Sequence, residues 1–163
     1  KYTASKDAAN NQSVSNQGSS SASTGNTAFN TNAVASNVIS ILNSERSAAG
    51  HAGVVTDGTL NTIGNIRAQQ LVTDFSHNYR GIVNESAVLA KQYGIYNSYY
   101  ATEDLIVVPI NTTNAITAKD IVDSFDTAHR DNIMNASFSR IGVGLYKDPN
   151  ADNTLYVAIQ LGF

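Results

Sequence analysis

"RIGVGLYKDPNADNTLYVAIQLGF", residues 140–163, reads as two β-rich runs joined by a polar turn that contains Pro149, Asn150 and Asn153. In the second run Leu155, Val157, Ile159 and Leu161 alternate with Tyr156, Ala158 and Gln160. Period two predicts a strand with one buried face, whose ladder ties Phe163 into a sheet. A terminal hairpin of this kind needs further strands and a cover, and the preceding sequence has to provide both.

Working back along the chain, "TAKDIVDSFDTAHR" (117–130) predicts a helix from about Ala118, with Thr117 and Asp120 at capping-box spacing. "LIVVPI" (105–110) predicts a short buried strand that Pro109 keeps at an edge or an end. "IVNESAVLAKQYG" (82–94) carries Val83, Ala87 and Ala90 at helical spacing, with Asn84 as cap and Gly94 as stop. "TDGTLNTIGNIRAQQLVTDFSHN" (56–78) offers Asp57 or Thr59 as a cap for Leu60, Ile63, Arg67 and Leu71. Ile66 and Gln70 widen that stripe, and the helix is expected to reach Thr73 or Asp74 and deliver His77 just beyond its end. "NAVASNVISILNSERSAAG" (32–50) sets Val34, Val38, Ile41, Leu42 and Ala49 on one face, with Gly50 as the stop. Three helices, a strand, a helix and a hairpin make an α+β chain, a sheet covered by helices.

The first 32 residues follow another regime. "ASKDAANNQSVSNQGSSSASTGNTAFNTN" (4–32) contains two large apolar residues, Val14 and Phe29, too few to offset the entropy of ordering it. The expected division is a Ser/Asn-rich tail or linker over 1–32 and a folded domain over 33–163.

The 163-residue chain has a formal charge of −3 and no Lys/Arg stripe, so nucleic acid has no electrostatic footing. No run approaches the length of a transmembrane helix. Cys and Trp are absent, so the core must come from aliphatic, Tyr and Phe packing without a disulfide. Only 14% of residues are charged, below the usual quarter, with Asn, Ser and Thr in their place, a balance common on exported surfaces. The start of the chain has no signal-peptide pattern, so an exported protein is expected here in processed or trimmed form.

"FSHN" (75–78), "TEDLIV" (102–107), "AHRDNIMNASFSRIGVGLY" (128–146) and "LYVAIQLGF" (155–163) resemble, in that order, the signature blocks of the CAP superfamily, the SCP-like domains, in its bacterial branch. "ILNSERSAAG" (41–50) extends the resemblance into the first helix, so it covers about residues 35–163. The resemblance implies a three-layer α-β-α sandwich with a central antiparallel sheet. It also implies a groove shared by two histidines and acidic residues: His77, Glu103 and His129 fall on its motif positions, and in several members the two histidines hold a divalent metal.

The departures are specific. Gly-Glu-Asn becomes Thr102-Glu103-Asp104, and Gly-His-Arg becomes Ala128-His129-Arg130. Both glycines are lost and a carboxylate is added beside Glu103. The nearest counterpart of a second acidic groove residue is Asp126, then Asp123, and Phe125 stands where the bacterial pattern has Trp.

Histidine chemistry supports the pair independently, because neutral imidazole is the commonest zinc ligand and two histidines leave open coordination positions. Their separation along the chain carries no metal signal by itself. Glu103 is expected to hydrogen-bond a ring N–H and fix a tautomer, Arg130 to pair with an acid in the scaffold, and His51 to be a bystander. The tyrosines of "YGIYNSYY" (93–100) are read equally as a ligand rim or as loop packing.

Three functions fit. The favoured one is a secreted or surface-associated bacterial binding module, cell-wall association included, whose groove takes a divalent metal, zinc by preference, and a small ligand, glycan, lipid or peptide. The second is a metal-assisted hydrolase of esters or amides with Glu103 as general base. The third is a structural adhesion domain on a stalk.

Overall fold

A computed structural model describes residues 28–163. The expected tail over 1–32 therefore lies outside the described residues up to position 27. The elements, in chain order, are α1 (Thr31–Ala48), β1 (Val55–Thr56), α2 (Gly58–Gln70), α3 (Glu85–Gln92), β2 (Tyr100–Pro109), α4 (Asn114–Asp123), α5 (Thr127–Ile133), β3 (Arg140–Lys147) and β4 (Thr154–Gly162).

The terminal hairpin forms as its alternation predicts, and β4 becomes an interior strand of a sheet ordered β1-β3-β4-β2. β2 and β3 both pair antiparallel to β4. The sheet is mixed and not wholly antiparallel, because β1 pairs in parallel with Arg140 and Ile141.

Side chains of the strands divide by parity. Leu155, Val157, Ile159 and Leu161 of β4 join Ile106, Val108, Ile141, Val143 and Leu145 in the main core with α1, α4 and α5. The opposite face is also covered, by α2 and α3: Ala158 and Leu105 pack with Ala68 and Leu71, and Gln160 is fully buried. One buried face was expected for β4. Both are buried, because an interior strand between two helical layers has no solvent side.

α2 lies against β3 at backbone distance. A Cβ on Gly144 would fall 1.9 Å from the Gly64 carbonyl carbon, and one on Gly142 would fall 2.2 Å from that of Leu60. Only glycine permits this approach.

Several helix boundaries differ from the sequence reading, each for a local reason. α1 starts at Thr31 because Asn30 accepts from the Ala33 N–H, and Phe29 packs against the core, so residues assigned to the tail take part in the fold. Ala49 lies outside α1 and is exposed, whereas Arg46 occupies the buried stripe. Asp57 caps α2, accepting from Thr59 and Leu60, but the helix ends at Gln70, short of Thr73. Asn84 precedes α3 with φ 53 and makes no side-chain cap, and Val83 is 77% exposed and off the buried face.

The cap of α4 is Thr113, not Thr117. Thr117 lies one turn inside the helix, buried, and its hydroxyl accepts from the Asn111 N–H and donates to the Thr113 carbonyl. The single helix expected from Ala118 is two, broken at Ser124–Asp126, where Asp126 caps α5 by accepting from the His129 N–H. β2 begins five residues before the apolar run, at Tyr100, and is an edge strand, consistent with Pro109 at its end.

Candidate functional site

The start of β2 carries Glu103 and Asp104, which point to opposite faces of the sheet because successive strand residues alternate. Glu103 turns toward α2. Its Oε2 accepts from Arg67 Nε at 2.9 Å and Gln160 Nε2 at 2.8 Å, and its Oε1 accepts from Arg67 Nη2 at 3.3 Å and lies 3.1 Å from His77 Nδ1. Arg67 continues the network, donating to Gln70 Oε1 and to the Ser76 carbonyl, both at 2.6 Å. The Ser76 contact holds the segment that follows α2, and so places His77.

Asp104 turns toward α5. Its Oδ1 accepts from Asn132 Nδ2 at 2.7 Å, while Oδ2 is buried without a protein partner. Burial pushes this carboxyl up to about 6, against a smaller opposing pull from Asn132 and the two imidazoles.

His129 lies on the first turn of α5, its Nδ1 at 2.7 Å from Asp126 Oδ1. The ring stacks on Phe125 with centroids 6.0 Å apart at 16°. Hydrogen bonds from the His129 backbone and ring hold the Asp126 carboxyl below its ordinary value. On the other side the Glu103 hydrogen bond raises the pKa of His77, with burial acting in the opposite direction.

His77, Glu103, Asp104, His129 and Asn132 line one groove of about 490 Å³. Residues 52 positions apart thus share a cleft at the edge of the sheet, one histidine from each helical layer. Asp126 does not line the groove; it stands behind His129. His51 lies in the loop after α1, its backbone N–H bonded to the Arg46 carbonyl, and takes no part. Arg130 pairs with Glu45, donates to the Val122 carbonyl and sits over the Phe125 ring, a scaffold contact. Of the tyrosines at 93–100 only Tyr100 lines the groove. Its hydroxyl pairs with Ser86 at 2.7 Å, and burial pushes it up to about 12.

A carboxylate can only accept, so the Nδ1 of each histidine carries the hydrogen, and in the neutral ring Nε2 keeps the lone pair used in metal ligation. The donor set therefore fits an open two-nitrogen site. Among the described residues no three His, Cys, Asp or Glu side chains are gathered as a closed set. Glu103 is surrounded by donors and held by Arg67, so its chemistry here is to orient His77.

Arg67, Gln160 and Asn132 were not singled out as site residues in the sequence. Arg67 had a signal, a cation on an apolar helical stripe, which implies a buried counter-charge. Gln160 and Asn132 had none, since each acquires its role only from a neighbour across the fold.

The Cysteine-rich secretory protein family (CAP) matches residues 2–160 of the chain. Three solved bacterial structures share the fold. One is an extracellular protein containing an SCP domain from Bacillus anthracis, with 15% identity, TM-score 0.56, and coverage of 80% of this chain and 40% of that one. An outer surface protein from Borrelia burgdorferi has 15% identity, TM-score 0.58, and coverage of 82% and 95%. A cysteine-rich secretory protein from Staphylococcus aureus has 16% identity, TM-score 0.55, and coverage of 84% and 40%. The chain thus spans about two-fifths of the Bacillus and Staphylococcus proteins. No curated protein matches it in sequence.

Proposed function

The chain belongs to the Cysteine-rich secretory protein (CAP) family, and from that premise we propose that it acts outside a bacterial cell as a binding module whose groove holds a divalent ion, zinc by preference, through His77 and His129. The observation that carries this reading is that both rings line one groove with each Nδ1 paired to a carboxylate, which leaves two Nε2 lone pairs for a shared ion. Glu103 orients His77 and Asp126 orients His129, as outer-shell carboxylates do around ligating imidazoles. The remaining coordination positions stay open to water or to a small ligand.

An ion bound there would supply a Lewis-acid contact for an oxygen-bearing ligand. The chain's own part is to hold both rings in one tautomer and to shape the cleft around them. The extracellular setting is supported by two of the structural relatives, one an extracellular protein and one an outer surface protein. No helix among the described residues is long and apolar enough to cross a membrane.

Calorimetric titration with zinc tests the reading. One ion per chain is expected, with most affinity lost in His77→Ala and in His129→Ala and none in His51→Ala. Protons compete for the imidazole nitrogens, so affinity should fall as pH drops through the imidazole range, beginning above about 6.5 because the pKa of His77 is raised. Equal affinity in the wild type and His129→Ala would refute the site.

A further inference from the structure

A second cavity, of about 420 Å³, opens between the C-terminal end of α2 and the turn that joins β3 to β4. Its size falls within the range of small-ligand sites. We propose that it binds an uncharged saccharide.

The lining defines the chemistry. Ile66, Val72 and Pro149 supply apolar surface, Tyr79 and Tyr146 supply aromatic rings, and Gln69, Gln70 and Thr73 supply amides and a hydroxyl. No charged side chain lines it, in contrast to the groove of His77 and His129. An ionic ligand would lose its hydration here with no counter-charge to replace it. A sugar ring presents C–H faces that pack on tyrosine and aliphatic carbon, with hydroxyls around its rim for amide and hydroxyl partners.

Polar groups are also left available. Among the described residues the side chains of Gln69, Thr73, Tyr79 and Tyr146 hydrogen-bond to no other protein group, whereas Tyr99 is spent on Asp57 and Tyr100 on Ser86.

The walls are held in place before any ligand arrives. Gln70 is fixed at both ends of its amide, accepting from Arg67 Nη1 at 2.6 Å and donating to Glu85 Oε1 at 3.1 Å. Tyr146 packs against the cluster of Ala68, Leu71, Leu105 and Ala158. Tyr79 is set by a tight turn in which it exchanges two backbone hydrogen bonds with Ile82, at 2.9 and 2.8 Å, around Arg80 and Gly81 with φ 48 and 84. Gln70 and Tyr146, fixed beforehand, lose little side-chain freedom when a ring binds, which favours binding.

The test is a titration of the isotopically labelled full chain, followed by backbone amide NMR, with three neutral probes: tetra-N-acetylchitotetraose, cellotetraose and maltotetraose. At least one should shift the amides of Gln69, Thr73, Tyr79 and Tyr146 saturably, with a Kd in the millimolar range or tighter. Gln69→Ala and Tyr146→Phe, both conservative for the fold, should each weaken that binding several-fold, and His129→Ala should leave it unchanged. Absence of saturable shifts with all three probes would overturn the proposal. So would shifts confined to the His77 groove, or saturation only by a proline-rich peptide.

Discussion

Glu103 and Asp104 are neighbours in β2, yet the first accepts from Arg67 beneath one face of the sheet and the second from Asn132 beneath the other. An edge strand with helices on both sides is the place where consecutive residues can serve two layers. The groove is built across that edge, and each histidine comes from the layer its nearer β2 carboxylate faces.

Arg67 and Glu103 form an ion pair with side chains 0% and 2% exposed, so removing one partner strands the other charge. Arg67→Met should lower the unfolding free energy by about 3–5 kcal/mol, and Arg67→Met with Glu103→Gln should recover a large part of that loss. Urea denaturation of the four proteins measures the cycle. Strict additivity would show that the two groups do not interact.

The Glu103 hydrogen bond raises the pKa of His77. A histidine raised in the folded state contributes stability that is fully present below its unfolded value near 6.5 and is lost as pH rises through the folded value. Glu103→Gln should therefore bring the His77 ring back toward 6.5, read by NMR titration of its carbon-bound protons. An unchanged titration would assign the raised pKa to another group.

Asp104 carries the opposite kind of burden. Its carboxyl titrates at about 6 when folded, against an ordinary 3.8, because it is buried. Between those values the folded chain holds a proton that the unfolded chain has released, so stability falls as pH rises through the window, by about 3 kcal/mol. Asp104→Asn keeps an acceptor for Asn132 and has no charge to bury. It should be more stable than wild type by about 2–3 kcal/mol at pH 7, with the difference vanishing near pH 4. A pH series of denaturation midpoints checks this, and a constant difference at all pH values would contradict it.

Arg46 is completely buried, and its guanidinium donates to four backbone carbonyls, those of Ala52, Ile133, Asn135 and Phe138, at 2.6–2.9 Å. This fork ties α1 to the segment between α5 and β3. Arg46→Lys retains the charge but not the planar fork, so carbonyls are orphaned and stability should fall by about 2–4 kcal/mol. Thermal melts that differ by no more than a degree or two would show that the fork is dispensable.

Gly144→Ala should destabilise by about 3 kcal/mol or prevent folding, since backbone must move to admit the new Cβ. Gly58→Ala is the control. Its Cβ would meet nothing within 4 Å, and at the start of α2 it should be neutral or slightly stabilising. Expression and calorimetric melting of both variants give the comparison.

The α+β class and the final hairpin were legible in the chain itself, and the expectation that His77 and His129 share a groove came from the resemblance of its motif blocks. The hairpin was legible because period-two alternation is a local property, and the histidines because they sit within ordered motif blocks that resemble a known family. Asp57 was readable too, as one of two candidate caps beside Thr59, since a cap acts within three residues. What the tertiary structure decided was anything that depends on a partner far along the chain. β4 reads as half-exposed until two helical layers close over it, and Thr117 reads as a cap until Thr113 takes that place one turn earlier. Arg67 and Arg46 have no identifiable partner in the sequence until Glu103, 36 residues on, and the carbonyls near Phe138, 92 residues on, come to meet them. Burying a charge costs several kcal/mol unless a partner is at hand, and that partner is fixed by packing and not by the local sequence around either arginine.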